Sequence, residues 1–210
     1  MTVPLKIFSI EEFYEYDTRK RLIYGVFSGV ILTLIVFSFV LFVVNRQIHF
    51  IYYGAYLCFL LFSILLVEGY LVDYIQKINV PFSIYHWRNA AICFSTFFLG
   101  LFIRSFILKG AENDRFIQKI FLVSTVSIAI SLLFFALERL FHLNQWLLPL
   151  TLLFLPFVLL ILSLMIHVFM VIYSFKKGIQ PFIAKMFFIG FLPFFIHIIF
   201  VVSKRGHVTL

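Results

Sequence analysis

Glu68, Arg104, His167, Lys185 and His197 are ionisable side chains inside otherwise apolar stretches of this chain. A charge at the centre of a bilayer costs about 3 kcal/mol or more, so such residues are functional candidates by default. One carboxylate and two imidazoles could share a proton or a metal ion, but only if they met within hydrogen-bond reach, about 3 Å. Their positions argue for separate, local roles. Arg104 and Lys185 stand within a turn or two of the ends of their stretches, where long stems carry the charge to the interface. Glu68 lies near the end of its own stretch. His167 and His197 are deeper, and a neutral imidazole there is satisfied by one hydrogen bond in a helix core. Glu68, Arg104, His167 and His197 therefore stand as the intramembrane polar sites, and the three acid–base groups among them are expected not to converge on one cavity.

No catalytic set accompanies them. No histidine pair four residues apart encloses a glutamate, so zinc-protease chemistry is unsupported. A nucleophile elbow and a Gly-rich phosphate loop are both missing from the sequence. The acidic residues Glu11, Glu12 and Glu15 lie in a polar segment outside the apolar stretches. Cys58 and Cys93 are at different depths of apolar runs and lack zinc spacing. They read as small hydrophobes that stay unpaired. The expectation is a protein that is not an enzyme, with no cofactor and no metal.

The elements that must position these groups are membrane-spanning helices. Hydrophobic residues make up 63% of the 210 residues and charged residues 12%. A soluble domain carries about 25% charged residues, too many for this pattern. A bilayer core about 30 Å thick needs about 20 helical residues. Six stretches qualify: Leu22 to Val44, Phe50 to Leu71, Ala90 to Leu108, Ile117 to Leu137, Leu147 to Phe175 and Phe182 to Val202. They are continuously apolar, whereas a membrane barrel would alternate. The fold class is thus all-α, a polytopic transmembrane bundle of six spans with its termini on one face. It divides into a polar juxtamembrane segment (residues 1–20), the helical domain (21–203) and a short basic tail (204–210). Pro149, Pro156 and Pro193 each remove a backbone donor within spans five and six.

The net charge of +8 is spread in short clusters between apolar runs. That is a topology signal, not a nucleic-acid footprint. The polar, acidic N-terminal segment is unlike a secretory signal. With the N-terminus outside, Arg46, Arg104, Lys109, Arg115, Lys119, Lys176, Lys177 and Lys185 fall inside. Lys6, Arg19, Lys20, Arg21, Lys77, Arg88, Arg139, Lys204 and Arg205 fall outside. The two sides are nearly equal, so charge alone does not orient the chain: the internal loops favour one arrangement and the termini the other.

One region carries a more specific pattern. An aromatic polar segment, Phe13-Tyr14-Glu15-Tyr16-Asp17, leads to Tyr24-Gly25 at the opening of span one. A short turn, Asn45-Arg46-Gln47, precedes the aromatic run Phe50-Ile51-Tyr52-Tyr53-Gly54-Ala55-Tyr56. Span two ends in Glu68-Gly69-Tyr70-Leu71; span three begins at Trp87-Arg88-Asn89 and closes in Arg104-Ser105-Phe106-Ile107-Leu108. From Phe13 to Leu108 the chain resembles the membrane domain of bacterial seven-transmembrane receptors with diverse intracellular signalling modules.

The resemblance implies an extracytoplasmic sensor before the helices, a cytoplasmic output after them, and a place in the inner membrane with the N-terminus outside. The segment before span one resembles the last strand of such a sensor. No seventh span or output follows span six, which implies a fragment or a truncated relative. The expected role is a sensory, signal-relaying membrane domain working by helix repacking. Its partners would be membrane lipids, with cytoplasmic signalling modules or an extracytoplasmic sensor on a missing part of the chain, and no nucleic acid. The alternative is a small polytopic transporter or a membrane-embedded lipid-modifying enzyme.

Overall fold

The computed structural model describes residues 10–71, 77, 84–109, 114–140 and 150–178, and every regular element among them is helical. The helices are α1 (Ile10–Asn45), α2 (His49–Val67), α3 (Ile84–Phe102), α4 (Arg115–Leu140) and α5 (Leu150–Lys176). A π-helical turn, Ile103–Ile107, extends α3. Five stretches within them are long and apolar enough to cross a membrane: Asp17–Asn45, His49–Val67, His86–Ile107, Arg115–Leu137 and Leu155–Ser174. The sixth expected span, Phe182 to Val202, lies outside the described residues, as do Pro149 and Pro193.

Two boundaries differ from the sequence reading. The segment that resembles a terminal strand is helical from Ile10 onward. Hydropathy marks where lipid contact begins, not where a helix begins. Residues 10–21 contain no Pro or Gly, and Arg21 pairs with Asp17 at 2.8 Å and Arg19 with Glu15 at 3.9 Å, one turn apart. Likewise α3 starts at Ile84, six residues before the apolar stretch that begins at Ala90, so Trp87, Arg88 and Asn89 lie within the helix.

Each turn has a local cause. Arg46 ends α1 in the left-handed region at φ 54°, a conformation that favours glycine, and its N–H still reaches the Phe42 carbonyl. Gly69, at φ 85°, closes α2 without a Cβ penalty, its N–H on the Leu66 carbonyl. Asp114 opens α4 by accepting the Phe116 N–H at 2.9 Å on its side chain.

Successive helices run antiparallel. His49 at the start of α2 packs against Phe106 and Tyr53 against Phe102, while Phe59 stacks on Phe94 and Phe98. Asp114 at the start of α4 meets Tyr173 near the end of α5, while Ser131 meets Pro156 near the other end. The main core joins α2, α3, the π-turn and α5 through Leu57, Leu60, Leu99, Ile103, Ile107 and Met170. A smaller one gathers Cys93, Ile128, Phe135 and Leu160 between α3, α4 and α5. Cys93 is buried there and Cys58 is exposed; both thiols are free. Much of α1 is apolar and exposed, including Leu22, Val26, Val36, Phe37, Val43 and Val44, as expected of a helix facing hydrocarbon.

Candidate functional site

Buried hydroxyls hold the helices together at single points. Ser38 of α1 donates to the Phe50 carbonyl of α2, and Ser95 of α3 to the Tyr56 carbonyl of α2 at 3.4 Å. Ser131 of α4 donates to the Pro156 carbonyl of α5 at 3.1 Å. Ser174 of α5 donates to the Ile107 carbonyl of the π-turn at 3.3 Å. With hydrocarbon on the outside, burying Leu against Leu gains little over burying it in lipid, so small residues and interhelical hydrogen bonds direct helix association.

The densest such point is a junction of α3, α4 and α5 around His167. Ser163, His167 and Ser174 recur along one face of α5, and Ser124, Ser127 and Ser131 along one face of α4. Ser124 Oγ lies 2.6 Å from Ser163 Oγ and 3.2 Å from His167 Nε2. The imidazole is fully enclosed and its Nδ1 meets no partner. A buried N–H without an acceptor is rarer than an unmatched lone pair. The proton is therefore assigned to Nε2, which donates to Ser124, and Ser124 in turn donates to Ser163. From α3 the space is opened by Gly100. A Cβ there would stand 2.4 Å from His167 Nε2, a distance that packing forbids.

The other sequence candidates are elsewhere. Glu68 caps α2, its N–H on the Ile64 and Leu66 carbonyls. Taking the His49–Phe106 ring contact as a common level, helical rise sets Glu68 about 20 Å along the axis from Gly100 and His167. Those two acid–base groups are not brought together. Arg104 lies on the π-turn with its guanidinium 5.0 Å from the centre of the Phe121 ring of α4, a cation–π contact. His197 and Lys185 fall outside the described residues. Among the described residues no three His, Cys, Asp or Glu side chains gather as a metal site.

The serines and Gly100 escaped the sequence reading, which weighed only ionisable groups. The signal was present: hydroxyls spaced three and four apart on two apolar helices, with His167 four residues after Ser163 on the same face.

The arrangement can fix the positions of α4 and α5 through short hydroxyl contacts enclosed between helices. No characterised protein and no solved structure shows significant similarity to the chain. A family model does: it is described as 7TM diverse intracellular signalling, and it matches residues 20–210. Five helices among the described residues are long and apolar enough to cross a membrane, in keeping with that match, and the chain belongs to this family of receptor membrane domains.

Proposed function

We propose that the chain is the sensory membrane domain of a receptor in the inner membrane, and that it relays a signal by shifting between two helix packings. The family match over residues 20–210 carries the reading. The geometry supports it in two ways. Interhelical contacts made by single hydroxyls average only about 0.6 kcal/mol each, so they break and reform cheaply. The π-turn widens the helix at the end of α3, and such turns cluster at functional sites. Cytoplasmic signalling modules, as the family description implies, would read the repacked end. A transporter or lipid-modifying enzyme would instead need Glu68, His167 and His197 in one site, and no observation favours that.

Spin labels at Arg46 and Lys119, both exposed, would report the relay as distances in lipid nanodiscs. Two distance populations are expected, and Gly100→Ala should change their ratio by several-fold. A single narrow distance unmoved by the substitution would sink the repacking mechanism.

We further propose that the N-terminus faces outward. Arg46, Lys109, Arg115, Lys119, Lys176 and Lys177 all lie at or near the one end formed by the α1–α2 and α3–α4 turns and the end of α5, which suits the cytoplasmic face. A cysteine at Lys177 should resist a membrane-impermeant maleimide in intact cells and react after permeabilisation. Labelling in intact cells would reverse the orientation.

A further inference from the structure

We propose that the α4–α5 groove at the Lys177 end of the bundle is a binding site for one anionic phospholipid. Its headgroup would lie on Arg115, Lys119 and Lys177, and an acyl chain on Phe116 and Phe169. The inference needs only that the bundle spans a bilayer, not that it relays a signal.

Depth is the first argument. The apolar stretch of α4 begins at Arg115 and that of α5 ends at Ser174. At 1.5 Å per residue each stretch spans about 30 Å, the thickness of the hydrocarbon core. Arg115 and Lys177 therefore sit at the phosphate level of the bilayer, and Lys119, one turn further in, reaches it by extending its stem. All three are exposed.

The end of α5 is tied to the start of α4, so their basic residues share one end of the bundle. Tyr173 of α5 donates its hydroxyl to Asp114 Oδ2 at 3.1 Å, directly beside Arg115. Lys177 Nζ lies 5.7 Å from the centre of the same Tyr173 ring. Tyr173 thus joins the end of α5, with Lys177 over its ring, to the start of α4, where Arg115 follows Asp114 in sequence. Asp114 is the acid of this cluster, and both its oxygens are engaged, one by Tyr173 and one by the Phe116 N–H. The net charge of the groove is positive.

Beneath the cations is a wall for a hydrocarbon chain. The Phe116 ring stands edge-on to Phe169 at 6.4 Å and lies 5.7 Å from Tyr173, so it bridges the two helices. Phe116 and Phe169 are nonetheless about half exposed, at 48% and 47%. A cationic rim above an apolar wall at headgroup depth matches an anionic lipid. It does not match an acidic peptide, which would have no use for the wall.

The purified chain would be titrated in neutral detergent with phosphatidylglycerol and, separately, phosphatidylcholine, with bound lipid counted by native mass spectrometry. Phosphatidylglycerol should bind about tenfold tighter or better, since each basic side chain at an anionic surface contributes appreciably. The double variant Arg115→Gln, Lys177→Gln should reduce the preference to about twofold, and Arg115→Lys, Lys177→Arg should keep it. Phosphatidylglycerol with a photoactivatable acyl chain should label peptides containing Phe116 and Phe169 in the unaltered protein, a readout independent of whether the variants fold. Equal binding of the two lipids, label confined to other helices, or full competition by millimolar inorganic phosphate would each overturn the proposal, the last by making this a soluble-anion site.

Discussion

Gly100→Ala should destabilise the bundle by about 2–3 kcal/mol, measured by unfolding in mixed micelles. A Cβ at this position would meet Nε2, Cε1 and Cδ2 of His167 at 2.4, 3.2 and 3.3 Å. The obstacle is a ring enclosed between three helices, not the free end of a flexible chain, so it cannot swing aside into solvent. Either α3 moves away from α5 or the imidazole leaves Ser124. The first loses packing around Leu99 and Ile103, both fully buried. The second leaves the buried ring N–H unmatched, while Ser124 keeps Ser163. A double-mutant cycle separates this mechanism from a general intolerance of α3. In a His167→Ala background the same glycine substitution should cost less than about 0.5 kcal/mol, because the clash has gone. An equal cost with and without the imidazole would refute the steric explanation, and a neutral Gly100→Ala would refute the close approach itself.

Asp114→Ala should cost about 2 kcal/mol, because one carboxylate does two jobs. Its Oδ1 caps the first turn of α4 at the Phe116 N–H, a role worth about 1 kcal/mol. Its Oδ2 accepts the Tyr173 hydroxyl and ties the start of α4 to the end of α5. That bond contributes about another 1 kcal/mol, less than the usual value for a charged acceptor because Asp114 is partly exposed. Tyr173→Phe removes only the second bond and should cost about half as much. Asp114→Asn keeps an oxygen for the cap and should fall close to Tyr173→Phe. Hydrogen exchange should quicken in the first turn of α4 for Asp114→Ala and not for Tyr173→Phe. Equal losses for those two variants would show that the cap contributes nothing.

The helical class and the five spans among the described residues were legible in the sequence because hydrocarbon imposes them residue by residue. A backbone in lipid must satisfy its own hydrogen bonds, and about 20 apolar residues do so only as a helix. The family was legible from short polar and aromatic punctuation, such as Tyr24-Gly25 and Arg104-Ser105-Phe106, because turns and interfacial residues are less interchangeable than Leu and Ile. Helix ends were less legible. Hydropathy registers the bilayer edge, so it missed the ten or so extra helical residues before Leu22 and the start of α3 at Ile84.

What the sequence by itself determined is therefore the solvent and the segment type: apolar lengths, their polar breaks, and the isolation of Glu68 from His167 by distance along their helices. What only the tertiary structure decided is which faces meet. Periodicity along helices that are apolar all round does not name a partner face, since lipid and protein offer Leu nearly the same environment. The contacts that do discriminate come from residues with small side chains. Gly100 matters because His167 of another helix fills its missing Cβ, and Ser124 matters because Ser163 and His167 arrive opposite it. The π-turn at Ile103–Ile107 is likewise a tertiary outcome, with Ser174 of α5 taking up the Ile107 carbonyl that the widened register presents. In each case the deciding energy is a hydrogen bond or a steric limit between helices, and a linear sequence does not contain that distance.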